Sequence, residues 1–183
     1  EPTLYPHLPE LIEAYHDREF TTFLVSNGTR PDVIREVEPT QLYVSLDAPD
    51  RETYESVVRP RHEGAWDDLL ASLDALADHD SRTTIRTTLV GGENMTDPAG
   101  YADLYDRAAP DFIEIKGYMH VGSSRDRLDR EAMPDHDEVV EFARSVQDHR
   151  PEYDVLREAP PSNVAMLATD PDTVVPELAG PDE

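Results

Sequence analysis

The sequence predicts an α/β fold of parallel strands with outer helices, and three observations predict it. Short segments rich in β-branched and aromatic residues, at 20–26, 41–46, 83–90 and 111–116, lie between Gly, Asn, Asp and Pro punctuation. Between them, apolar residues recur with helical spacing. At 183 residues the chain is long enough for one domain with a sizeable core. Strands that alternate with helices pair in parallel through right-handed crossovers, so their carboxyl ends gather on one rim.

The chain opens on EPTLYPHL, with no initiator Met, as a processed protein or a piece cut from within a domain would. Leu8, Leu11, Ile12 and Tyr15 share one helical face and lead into the first strand, 20–26, which ends in the turn SNGT. The second strand, 41–46, runs out into SLDAP. Trp66, Leu69, Leu70, Leu73 and Leu76 form the next helical stripe, ahead of the strand 83–90 and its loop VGGENM. The strand 111–116 passes into KGYMHVGSSR, and Val139, Phe142, Ala143 and Val146 mark a later helix. Residues 153–157 and 163–168 read as one or two further strands around the Pro160-Pro161 turn. The acidic, proline-rich TDPDTVVPELAGPDE beyond them is expected to fray.

Charge is the strongest compositional signal: 40 Asp and Glu against 16 Lys and Arg leave a formal −24, spread along the whole chain. Lys116 is the sole lysine. At ~1 M ionic strength the Debye length shrinks to about 3 Å, so such a chain suits a salt-rich cytoplasm; an acidic mesophilic protein is the other reading. No apolar run approaches the length of a membrane span, so membrane residence is not expected. The absence of cysteine excludes disulfides and any thiolate-held metal or iron–sulfur cluster in this chain alone. The seven histidines show no H-x-x-x-H spacing, and no zinc site is read.

The rim is where ligands sit in parallel α/β sheets. Ser26 and Asn27 stand in an ordinary turn or a ligand loop. Ser45 and Asp47 alternate about Leu46, so they either receive a ribose or amino-acid group or cap the next turn. Gly91 and Gly92 let backbone approach a flat ring such as adenine, with Asn94 at its edge, or relieve a tight loop. Lys116 ends the apolar strand DFIEIK, where it serves amine chemistry or pairs with Glu114 on the same face. Arg59 and Arg61, with Arg125, Arg127 and Arg130, are the local concentrations of positive charge; they meet phosphates or form solvated, salt-bridged loops.

The stretches EPTLYPHLPELI, TFLVSNGTRPDVI, QLYVSLDAPDRETYESVVRP, RTTLVGGENMTD, PDFIEIKGYMHVGSSRDRL and MPDHDEVVEFA together resemble the archaeal tRNA 4-demethylwyosine synthase family of radical S-adenosylmethionine enzymes. The likeness covers nearly all of residues 1–168. It implies the carboxyl-terminal portion of a radical SAM (βα)6 partial TIM barrel over 1–168, with a flexible tail at 169–183. It further implies condensation of N1-methylguanosine in tRNA(Phe) with pyruvate, using S-adenosyl-L-methionine, a 4Fe-4S cluster and an electron donor, in a cytoplasmic monomer.

Carried over residue by residue, the resemblance makes Glu1 and Pro2 the end of a G-E-P segment that receives the S-adenosylmethionine amino group. Ser26 and Asn27 fall in the third-strand turn, Ser45 and Asp47 in the segment for the methionyl carboxylate and ribose, and Gly91, Gly92 and Asn94 in the loop beside adenine. Lys116 falls near the substrate pocket as the expected pyruvate contact. Tyr118, Met119 and His120 are candidates for stacking on the anticodon loop or for packing. The family's CxxxCxxC loop has no counterpart here, so the cluster half is expected to precede Glu1 and the piece to be inactive alone. Two other readings are a metal-free Schiff-base aldolase using Lys116 and a noncatalytic RNA-binding remnant.

Overall fold

A computed structural model describes residues 1–169. The expected tail at 169–183 lies outside the described residues, apart from Thr169. A six-stranded sheet runs in the order β1-β2-β3-β4-β6-β5. Its strands are β1 (Phe23–Ser26), β2 (Gln41–Ser45), β3 (Arg82–Leu89), β4 (Phe112–Gly117), β5 (Asp154–Ala159) and β6 (Val164–Ala168). The first four pair in parallel. β6 returns antiparallel beside β4, and β5 pairs antiparallel with β6. The two terminal strands therefore form a hairpin, which the short Pro160-Pro161 connection makes possible and a crossover would not.

The helices are α1 (Leu8–His16), α2 (Pro31–Ile34), α3 (Arg51–Val57), α4 (Ala65–Leu76), α5 (Pro98–Ala108) and α6 (His136–His149). The expected stripes account for α1, α4 and α6. In α6 the N-cap Asp135 accepts from the Glu138 amide at 2.9 Å while Glu138 accepts from the Asp135 amide at 2.8 Å, a reciprocal capping box. α5 was not legible as a stripe, because it opens Pro-Ala-Gly and buries Tyr101, Ala102, Tyr105 and Ala108 rather than leucines. The first strand starts at Phe23 rather than residue 20; Phe20 is 57% exposed, ahead of the β1–β2 ladder.

Alternation sorts the strand residues into two faces. Leu42, Val44, Leu46, Ile85, Leu89, Ile113, Ile115 and Leu167 join the core with Leu69, Leu73, Tyr101, Tyr105, Val139 and Val146 from the helices. The opposite, inner face is polar towards the rim. In the rim turn after β1, Gly28 has φ +72, and a Cβ there would meet Leu69 Cδ1 at 2.7 Å and Val44 Cγ1 at 3.0 Å. Only glycine fits that approach of turn to core.

Candidate active site

At the end of β1 the residues expected to hold a ligand hold one another. Glu1 Oε1 accepts from the Thr3 amide at 3.1 Å, the Thr3 hydroxyl at 2.7 Å and the Ser26 hydroxyl at 3.0 Å, and its Oε2 accepts from the Asn27 amide at 2.7 Å. Partial burial opposes ionisation, but the donors of Thr3, Asn27 and Ser26 outweigh it and hold the carboxyl below its ordinary value. Pro2 follows in a single 3-10 turn. Ser26 is buried, and its hydroxyl also accepts from the Gly28 amide at 3.1 Å. Glu1 and Ser26 thus pin the opening segment to the strand end, and the exposed Asn27 faces outward with its Oδ1 accepting from Thr29.

The ends of β2 and β3 are joined by Asp47 and Asn94. Asp47 Oδ1 accepts from the Thr88 amide at 2.7 Å, where a ladder carbonyl would otherwise sit. Burial pushes its carboxyl up to about 6, against the opposing pull of the Thr88 amide and the Arg86 charge. Asn94 is fully buried: its Nδ2 donates to the Asp47 carbonyl at 2.8 Å and the Thr88 carbonyl at 2.9 Å, and its Oδ1 accepts from the Val90 amide at 2.6 Å. Its amide is spent on the backbone, which leaves no edge for a base; it shapes the loop rather than faces outward. Gly91 donates to the Ala132 carbonyl at 2.9 Å, while Gly92, at φ +78, is exposed with nothing near its missing Cβ.

Register defines the inner face. Ser45 pairs with Arg86, and Arg86 with Glu114; one step towards the rim, Thr88 pairs with Lys116, and Lys116 with Val164. Glu114 and Lys116 share this face, but Glu114 is engaged by Arg86, whose Nε donates to Oε1 at 2.8 Å and whose Nη2 donates to Oε2 at 3.4 Å. The arginine carbon Cζ lies 4.6 Å from the centre of the Tyr43 ring. Below this row, Thr84 is fully buried with a hydroxyl that has no partner among the described residues. Arg86 and Tyr43 are functional candidates that reading strand ends passed over. A charged side chain inside RTTIRTTL, between threonines of the same face, was their signal.

The arginines divide. Arg59 and Arg61 line a cleft of about 540 Å³ with Asn27, Thr29, Arg30 and His62; Arg125, Arg127 and Arg130 lie on the loop after β4, outside it. Arg59 Nε donates to the Ser56 carbonyl at 3.1 Å and Arg125 Nε to the His120 carbonyl at 3.2 Å. Tyr118 is buried, its hydroxyl beside His120 Nδ1 at 3.2 Å, while Met119 is partly exposed. Among the described residues no helix is long and apolar enough to cross a membrane.

Residues 1–105 match the family model of the radical SAM superfamily. The chain belongs to that superfamily. Residues 107–169, which include β4 and Lys116, match the model of wyosine base formation. The chain is 46% identical over 175 residues to the S-adenosyl-L-methionine-dependent tRNA 4-demethylwyosine synthase of Pyrococcus horikoshii, covering 93% of this chain and 51% of that protein. It is 45% identical over 178 residues to the enzyme of the same name from Methanocaldococcus jannaschii, covering 97% and 56% respectively. A solved structure of TYW1 with a lysine–pyruvate adduct bound superposes with a TM-score of 0.84 at 44% identity, over 92% of this chain and 54% of that one. This radical SAM chain spans about half the length of the curated relatives it matches.

Proposed function

We propose that this chain is the substrate-side half of a radical SAM tRNA 4-demethylwyosine synthase, which condenses N1-methylguanosine in tRNA(Phe) with pyruvate. The observation that carries the reading is Lys116: the sole lysine of the chain stands at the rim end of β4, on the inner face beside Thr88, within the stretch matched to wyosine base formation. A related solved structure holds a lysine–pyruvate adduct. In this reading the Lys116 amine attacks the pyruvate carbonyl and water leaves, giving an imine that holds the acid in place.

S-Adenosyl-L-methionine supplies the radical chemistry when bound, and the rim fits it in part. Ser45 is half-buried on the inner face, Asp47 presents a carboxyl at the next position on that face, and Gly92 leaves open space for a flat ring. Ser45, Asp47, Asn27 and Gly92 would hold the cofactor directly; Glu1, Pro2, Ser26, Asn94 and Gly91, whose amide is taken by the Ala132 carbonyl, would act by setting the loops that carry them. A 4Fe-4S cluster does not fit this chain, because it needs thiolate ligands and the sequence has no cysteine. The cluster and its electron donor belong to polypeptide outside this sequence, and the chain alone is inactive.

Arg59, Arg61, Arg125, Arg127 and Arg130 are assigned to tRNA phosphates. In molar salt the repulsion between a −24 protein and RNA is screened, so shape and these few contacts hold the anticodon region. The protein is assigned to the cytoplasm of a halophile as a monomer. The test is borohydride trapping of labelled pyruvate on the cluster-bearing enzyme that contains this chain. Lys116→Ala should lose the trapped adduct and base formation while keeping S-adenosylmethionine binding. An adduct of undiminished yield in Lys116→Ala overturns the assignment.

A further inference from the structure

The inner face departs from the acidic balance of the protein. The chain as a whole carries 40 acidic residues against 16 basic ones, yet the two central rows of the inner face balance Arg86 and Lys116 against Glu114 and Asp47, whose Oδ1 is taken by the Thr88 amide. Arg86 spends Nε and one hydrogen of Nη2 on Glu114, which leaves the Nη1 donors and the second Nη2 hydrogen without a partner among the described residues. Tyr43 supports the guanidinium from β2, and Glu114 fixes its plane from β4. A pair taken out of water in this way contributes little net stability, so its rigidity rather than its energy is what the fold gains. Neighbouring strands lie ~4.8 Å apart and two residues advance ~6.7 Å, which puts the Cα atoms of Arg86 and Lys116 about 8 Å apart on one surface.

We propose that Arg86 is the carboxylate anchor of the pyruvate site, holding the acid's carboxylate with its free donors while the carbonyl carbon meets Lys116. The inference rests on the Lys116 reading above and adds the residue that selects a 2-oxo acid over an uncharged ketone. A guanidinium fork held in one plane suits a carboxylate, and a low-dielectric barrel wall strengthens the contact. S-Adenosylmethionine carries a carboxylate of its own, and the experiment separates the two sources.

Reductive trapping on the cluster-bearing enzyme is measured against concentration for pyruvate and for its methyl ester, with S-adenosylmethionine affinity measured alongside. In Arg86→Gln the pyruvate concentration for half-maximal trapping should rise about 10- to 100-fold, the loss of a charge-assisted contact, while that for methyl pyruvate stays put. Arg86→Lys, which keeps the charge without the fork and so guards against a folding defect, should fall between. Equal losses for acid and ester, or none, overturn the anchor. So does a weakened S-adenosylmethionine affinity with unchanged pyruvate trapping, which would give Arg86 to the cofactor's carboxylate. Persistence of the adduct in Lys116→Ala would remove the Schiff-base lysine instead, and the acid-to-ester comparison at Arg86 reads independently of it.

Discussion

Asp47→Asn should stabilise the protein at neutral pH, although it removes a charged group that accepts a hydrogen bond. The carboxyl ionises at 3.8 in a solvated chain and at about 6 in the fold, chiefly because burial disfavours the anion. At about 1.4 kcal/mol for each tenfold change in acidity, the difference sets an upper limit of about 3 kcal/mol, and residual contact with water brings the expectation to about 1–3 kcal/mol. The sign follows from linkage. With the folded value raised, the stability associated with the protonated group is complete below 3.8 and is lost as pH rises towards about 6, where the folded carboxyl ionises too. Asparagine keeps an Oδ1 to accept from the Thr88 amide and never ionises. Urea unfolding in molar salt at pH 3 and pH 8 measures it, as the difference between variant and parent at each pH, because the other carboxylates among the 40 acidic residues impose their own dependence on both. The variant should match the parent at pH 3 and exceed it at pH 8. A difference that does not change with pH, or a variant weaker at pH 8, refutes the buried-carboxylate argument.

Asn94→Ala removes three hydrogen bonds and orphans the backbone groups they satisfied, so unfolding stability should fall by about 3 kcal/mol. A variant of parental stability whose defect is confined to S-adenosylmethionine binding would instead make Asn94 a direct cofactor contact. Gly28→Ala places a Cβ 2.7 Å from Leu69 Cδ1 at φ +72 and should cost about 1–3 kcal/mol. An unchanged thermal midpoint would show that the turn yields more easily than its packing implies.

The sequence by itself determined the alternation of strand and helix, the stripes of α1, α4 and α6, the rim as the place where SNGT, SLDAP and VGGENM converge, and the lone lysine at the end of β4. These are local facts: β-branched runs, helical spacing and turn residues act within a few positions of themselves. The stretch of α5 hid because its buried face is built of tyrosine and alanine, which acquire an apolar role only once Phe142 of α6 and Thr87 of β3 are packed against them.

Tertiary structure alone decided which polar residues are spent and which are free. Ser26 and Asn94 read as ligand contacts from their positions, but one hydroxyl serves Glu1 and one amide serves three backbone groups brought together at the ends of β2 and β3. Glu114 sits two residues from Lys116, yet Arg86, 28 positions earlier, takes its carboxylate across the strand pair. Hydrogen-bond partners and like-facing charges depend on register, and register is settled only when whole strands bury their apolar face together.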